Sequence, residues 1–376
     1  MYDILFANPI VAFIFALSVL VFFHELGHYW VARRNGVKVE IFSIGFGPEL
    51  FGWNDKSDTR WKVCLMPFGG YVKMFGDTDA ASSGSTESEE RPFSDEEMKV
   101  SFYYKSLGAR AAIVAAGPIA NFILAAVLFA LLYMAVGVPE KFHAGVGEVV
   151  AESAAAEAGL EKGDLILSLG GQKLDTFDDL REIVMASPNK ALDAIVLRNG
   201  SELAIKVTPK AREAGDKMVG QLGIRPDAEQ AEYVRYNPVV AVWMGIERTY
   251  DLSAQILSHL GTLITGGGSM KDLGGPLRIA QVSGDAAKSG FDSLIYLMAV
   301  LSVNLGLINL FPIPMLDGGH LVFYAAEAIR GKPLSERAQE YGFRFGLTLV
   351  LGLMVFATWN DLVQLKVFDF ITQLFT

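Results

Sequence analysis

The sequence predicts a polytopic α-helical membrane protein with four transmembrane helices, a membrane-associated β-hairpin region and one small α+β domain outside the bilayer. Three observations carry this. Apolar residues make up 51% of the 376-residue chain, they gather in blocks, and four blocks have a size that suits a membrane span. A helix needs about 20 apolar residues to cross the hydrocarbon. The blocks are 8–23 with the helical turns that follow, 111–138, 294–311 and 342–359, the last being charge-free only over 345–360. One such block could be a buried core helix; four at this purity specify a membrane protein.

Composition also excludes some functions. A net charge of −10 and the lack of any basic cluster interleaved with aromatics argue against a nucleic-acid partner. The single cysteine, Cys64, rules out an internal disulfide framework and leaves the redox compartment unread. Before the first span there is no basic n-region or small-residue cleavage site, so that span is expected in the mature protein.

Basic residues set the expected orientation. None precedes the first span; Arg33, Arg34 and Lys38 follow it, and Lys105 and Arg110 precede the second. Arg330, Lys332, Arg337 and Arg344 lie between the third and fourth, and only Lys366 comes after. Both termini are therefore expected outside, as is the stretch from about 139 to 290, which in a bacterial inner membrane is the periplasm.

The first span carries His24-Glu25-Leu26-Gly27-His28, and no residue between Asp3 and His24 is charged. On a helix, positions i and i+4 share a face, so both imidazoles can point at one metal ion with Glu25 beside it as a general base. Two histidines and a carboxylate at membrane depth are costly, which makes a functional site the default reading.

After this helix, 37–48 and 60–68 alternate β-branched and aromatic residues and read as strands ending in Gly and Pro. They form either a small structural sheet or, at 39–45, an edge strand that captures an extended substrate by β-addition. Residues 77–97 are acidic and nearly free of apolar side chains, and read as a flexible cytoplasmic loop. The second span opens on Gly117-Pro118-Ile119-Ala120-Asn121, where small residues allow close helix contact and Asn121 needs a partner inside the bundle.

Residues 144–209 have the character of a soluble domain. A strand at 145–150 precedes Ala158-Gly159-Leu160, then Lys162-Gly163-Asp164-Leu165-Ile166, a Gly170-Gly171 turn and an amphipathic helix over 176–185. Two strands, 193–198 and 202–208, flank Asn199-Gly200, a strong hairpin signal. This order resembles a PDZ domain of the bacterial protease type. The resemblance implies a ligand strand, a peptide C-terminus or a periplasmic segment, adding beside the first strand at Gly145, Val146 and Gly147. A spacer or steric-filter role is the alternative.

The segment 239–264 places Val239, Val242, Trp243 and Ile246 on one face and Glu247, Arg248, Asp251 and Gln255 on the other. With charges in its middle, it reads as an interfacial amphipathic helix.

The third span ends in Asn309-Leu310-Phe311-Pro312-Ile313-Pro314-Met315-Leu316-Asp317-Gly318-Gly319-His320. Two prolines this close cannot continue a helix. Irregular backbone at membrane depth is tolerated only where it is buried in protein or lines a cavity. A catalytic zinc takes three protein ligands and an open position. Asp317 is the candidate third ligand by depth and context, with His320 as its rival. Asn309 either holds substrate or stabilises the break.

With these residues in view, the chain resembles bacterial site-2 proteases of the regulator-of-sigma-E type, in a single-PDZ variant. His24-Glu25-Leu26-Gly27-His28 and Asn309 to Gly319 carry the likeness. Gly45-Phe46-Gly47, Pro67-Phe68-Gly69-Gly70-Tyr71 and Gly117 to Asn121 support it. Many members carry two tandem PDZ domains, and this chain has room for one.

The resemblance implies an intramembrane metalloprotease with one Zn2+ per chain, held by His24, His28 and Asp317, with Glu25 catalytic. It further implies substrate contacts at Asn309, Pro312, Pro314, Gly45, Phe46 and Gly47. The implied partners are the lipid bilayer and single-span membrane proteins, either anti-sigma-factor-like proteins trimmed by a first protease or remnant signal peptides. The implied place is the bacterial inner membrane, with the site towards the cytoplasm. A non-catalytic PDZ scaffold with a structural zinc is the competing class. The expected divisions are 1–36 (first span), 37–106 (β region and acidic loop), 107–138 (second span), 139–212 (PDZ-like domain), 213–290 (outer region with the interfacial helix) and 291–376 (third and fourth spans).

Overall fold

The computed structural model describes residues 8–77, 93–214, 217–227, 231–266 and 274–364. Of the expected acidic loop, 78–92 lies outside the described residues, as does Lys366. The chain forms two units, Met1–Leu132 with Pro238–Thr376, and Tyr133–Asn237.

The first unit opens with α1 (Pro9–Arg34). Asn8 accepts the Ile10 N–H at 2.9 Å, and Pro9 sits at the first helical position, where its missing N–H costs nothing. Then come β1 (Val39–Asn54), β2 (Arg60–Met74), the short α2 (Asp95–Val100) with a Ser94–Glu97 capping box, and α3 (Leu107–Ala135).

β1 and β2 are long and fold back on themselves. Ile41 pairs with both Lys73 and Arg60, Phe42 with both Val72 and Trp61, and Ser43 with both Tyr71 and Lys62. The segment 39–44 is therefore flanked on both sides. The expectation of an edge strand at 39–45 is corrected, because those backbone groups already have partners. Among the described residues, the free edge on this side of the sheet belongs to 70–74.

The second unit contains β3 (Val138–Phe142), β4 (Val146–Val149), α4 (Ala154–Glu157), β5 (Leu165–Leu169), β6 (Gln172–Lys173), α5 (Phe177–Met185), β7 (Leu192–Arg198) and β8 (Ser201–Val207). β9 (Lys210–Ala214), β10 (Lys217–Gln221), β11 (Ile224–Pro226) and β12 (Ala231–Val234) follow. A four-stranded sheet in the order β6-β5-β7-β8 encloses a core built on Ile166, Leu169, Leu180 and Val196. The turn expected at Asn199-Gly200 forms, with φ of 50° and 79°. The unit extends past the expected limit at 212, because β11 returns to pair with β4 and β12 with β3.

That pairing overturns the expected ligand edge at Gly145, Val146 and Gly147. On one side Val146 pairs with Pro226 and the Asp227 N–H donates to the Gly145 carbonyl. On the other, the Val146 N–H donates to Asp164 and its carbonyl accepts from Gly163. The concavity lies elsewhere: a cavity of about 390 Å³ is lined by Phe177, Leu180 and Val184 of α5 and by Leu222, Gly223 and Ile224.

The first unit resumes with α6 (Pro238–Ile264), α7 (Pro276–Ser289), α8 (Phe291–Leu310), α9 (Asp317–Arg330) and α10 (Glu336–Gln364). By length and composition, α1, α3, α8 and α10 (from Arg337) can each cross a membrane, as expected of four spans. α6 differs from expectation. Arg248 donates to the Tyr296 hydroxyl at 3.0 Å, and further along Leu263 and Phe311 line one apolar cavity. Contacts advance together along α6 and α8, so α6 runs beside a span instead of lying across the bundle. Its buried residues are small ones, Ala241, Gly245 and Thr249, with Gly245 against the Ala126 carbonyl of α3. Val239 and Trp243, the bulky residues that define the apolar face in the sequence, are 81% and 68% exposed.

Candidate active site

His24 and His28 stand one turn apart on the buried face of α1, with Nε2 atoms 3.2 Å apart. Asp317 reaches both: Oδ2 lies 3.2 Å from His24 Nε2, and Oδ1 lies 3.6 Å from His28 Nε2. Among the described residues these three form the cluster able to hold a metal, each offering one ligand atom within 4.8 Å of the others. His320 is not in it. Its ring packs against Phe323 and Phe343, so Asp317 takes the third position.

Three elements create this convergence. α1 comes close to α3 because Gly27 has no side chain where the Ala116 carbonyl lies. Across that contact the Ile113 carbonyl accepts from His28 Nδ1 at 2.9 Å. A carbonyl can only accept, so the proton is on Nδ1 and the lone pair on Nε2. Gly117 leaves the space both imidazoles fill, and Asn121 places its amide 3.1 Å from His24 Nδ1.

The third element is the break between α8 and α9. α8 stops at Leu310, and Pro312 and Pro314 prevent its continuation. Met315 has φ 99°, a conformation that non-glycine residues rarely adopt. α9 then starts at Asp317, placing its carboxylate at the positive end of the helix dipole. Gly318 and Gly319 permit the tight return, since any Cβ there would strike the carbonyls of Leu310, Phe311 and Ile313.

A cavity of about 240 Å³ opens on the cluster. Glu25 and Asn309 line it, and so do Gly70, Tyr71, Val72 and Met74 of β2. The expected substrate contacts at Gly45, Phe46 and Gly47 are not in its lining. Phe46 touches it at one remove, stacked on Tyr71 at 6.0 Å. Pro312 and Pro314 do not line it either: they shape the break, and Pro314 packs against Gly346 of α10. β2 supplies what the sequence assigned to β1, and the glycines of Pro67-Phe68-Gly69-Gly70-Tyr71 were the available signal. Gly70 sits against Val21 and Glu25, where a side chain would collide.

The donor set fits a divalent metal. Two imidazoles and a carboxylate match the protein ligands of catalytic zinc sites. Asp317 Oδ2 is buried without a hydrogen-bond partner, a lone pair facing the two Nε2 atoms. The ligands are held from behind at Ile113 and Asn121, as metal-binding histidines usually are.

Residues 12–353 match peptidase family M50. A candidate zinc metalloprotease of Agrobacterium fabrum, Atu1380, is 47% identical over 95% of this chain and 96% of its own length. The regulator of sigma-E protease RseP of Salmonella typhimurium is 32% identical over 94% of this chain and 98% of its own. Among solved structures, the PDZ domain of an SdrC-like protein from Listeria innocua aligns with 22% of this chain and 92% of itself, at 18% identity and a TM-score of 0.20.

Proposed function

The chain belongs to peptidase family M50, and from that premise we propose that it is an intramembrane zinc metalloendopeptidase acting on single-span membrane proteins. One observation carries the reading. His24, His28 and Asp317 converge within 4.8 Å, between helices long and apolar enough to cross a membrane, on a cavity that Glu25 also lines.

Zinc held by these three residues polarises the scissile carbonyl and acidifies water. Glu25 is the general base: it takes a proton from the attacking water and passes it to the leaving amine. Asn309, in the same cavity, holds the substrate backbone beside the reacting bond.

A helical substrate has its peptide groups engaged with one another, so it must unwind before attack. The free edge at 70–74, which lines the cavity, accepts the released backbone groups by β-addition. This assignment follows from the sheet order, which leaves that edge and not 39–45 open.

The basic residues after the first span and between the last two support a bacterial inner-membrane protein with periplasmic termini and the site towards the cytoplasm. Similarity to a regulator of sigma-E protease supports anti-sigma-factor-like substrates, or remnant signal peptides. The second unit is read as a periplasmic PDZ domain whose peptide site is the concavity between α5 and 222–224.

Glu25→Gln tests the proposal against the scaffold alternative. In purified protein it abolishes cleavage of a single-span substrate and keeps one zinc per chain. Unchanged cleavage, or full loss of zinc, overturns the assignment.

A further inference from the structure

We propose that Asn121 is a positioning residue for the metal centre, its side-chain carbonyl accepting the Nδ1–H of His24 so that Nε2 keeps its lone pair for the ion. The inference rests on the metal-site reading above and extends it from the ligands to what sets their tautomers.

The two histidines are held in different ways. At His28 a backbone carbonyl, Ile113, meets Nδ1, and a carbonyl imposes one tautomer. At His24 the group meeting Nδ1 is the Asn121 amide at 3.1 Å, and an amide can donate or accept. With its nitrogen towards the ring, the His24 proton sits on Nε2, the atom needed as a ligand. Asn121 Oδ1 then remains buried with no hydrogen-bond partner. A half-turn of the amide gives Oδ1 the Nδ1–H as partner and frees Nε2, since oxygen and nitrogen occupy equivalent positions.

The surroundings fix this amide at the depth of the ring. Asn121 is fully buried, and the Ser302 hydroxyl of α8 donates to its backbone carbonyl at 2.8 Å. α3 is thus held between α1 and α8 where His24 needs a partner. Leucine at 121 matches the volume and offers His24 nothing. Aspartate keeps an acceptor and loses the donor.

The test measures zinc affinity of the full chain in detergent by competition with a chromophoric chelator. Asn121→Leu weakens zinc about 10- to 100-fold, the usual cost of losing a residue that orients a metal-binding histidine. Asn121→Asp and Ser302→Ala stay within about threefold of the parent. Parental affinity in Asn121→Leu overturns the inference, and so does an equal loss in Asn121→Asp or Ser302→Ala, because packing is then the cause. A second measurement needs no variant: with ¹⁵N-histidine labelling, zinc-loaded protein shows His24 protonated at Nδ1, and an unprotonated Nδ1 refutes the assignment. The Asp317→Asn control separates the two failures. Unchanged zinc affinity there overturns the metal site itself, and the inference with it.

Discussion

Gly117 of α3 lies so close to His28 that a Cβ at position 117 would overlap the Nε2 atom of its imidazole. This glycine is a recess for a ligand, inside a helix that local propensity alone would build with alanine.

Gly117→Ala therefore separates propensity from geometry. Alanine favours the helix, yet its methyl group displaces the imidazole from the cluster. Metal analysis of the purified variant is expected to show much less than one zinc per chain. Cleavage falls about 100-fold, since displacement by about 1 Å is enough for that loss. Full zinc occupancy would show that α1 and α3 can separate at no cost.

The sheet predicts where proline is harmful. Successive backbone N–H groups along a strand alternate between its two edges. Of Tyr71→Pro and Val72→Pro, one removes a donor from the free edge that lines the cavity. That variant retains zinc and loses at least about tenfold in cleavage, as expected when β-addition supplies the affinity. If both variants cleave normally with zinc in place, substrate is held elsewhere.

In the second unit Asp164 is 1% exposed, and both its oxygens accept from Arg198 at 2.7 Å. Burial pushes the carboxyl up, but the hydrogen bonds from Arg198 and the Glu161 N–H outweigh it and hold Asp164 below its ordinary range. With the folded value depressed, this contribution is present above the unfolded value of about 3.9. It is lost as pH falls below that, through the folded value. Arg198→Leu strands the buried carboxylate and costs about 3 kcal/mol. Hydrogen exchange of the full chain reads this as lost protection at Ile166 and Val196, with the membrane helices unchanged.

Met315, at φ 99° two residues before Asp317, predicts a tolerance. Met315→Gly keeps zinc and fold, because glycine takes this conformation freely. Met315→Val raises the strain by about 1–2 kcal/mol and loosens Asp317, since β-branched residues resist positive φ. Zinc affinity of the two variants, measured side by side, should differ in that order.

Much of the site was legible because its signals are local. His24 and His28 share a face by spacing alone, and a charge-free run places them on a membrane-length helix. Pro312 and Pro314 announce a break before Asp317 because each lacks an N–H. The Asn199-Gly200 turn and the helix at 177–185 follow from local backbone preferences and capping. These features depend on residues a few positions apart, so the sequence by itself determined them.

Tertiary structure alone decided which surfaces remained free. The pattern at 39–45 says strand, but the partners on both its sides come from β2, and their pairing transfers the open edge to 70–74. Val146 looked like a ligand edge until β11, nearly 80 residues on, paired with it. α6 turns its small residues inward because close backbone approach to α3 outweighs burial of Trp243. Asn121 and Ile113 meet His24 and His28 across separations of 97 and 85 residues. No periodicity encodes such meetings: an edge is free, or a polar atom partnered, only once every competing segment has been placed.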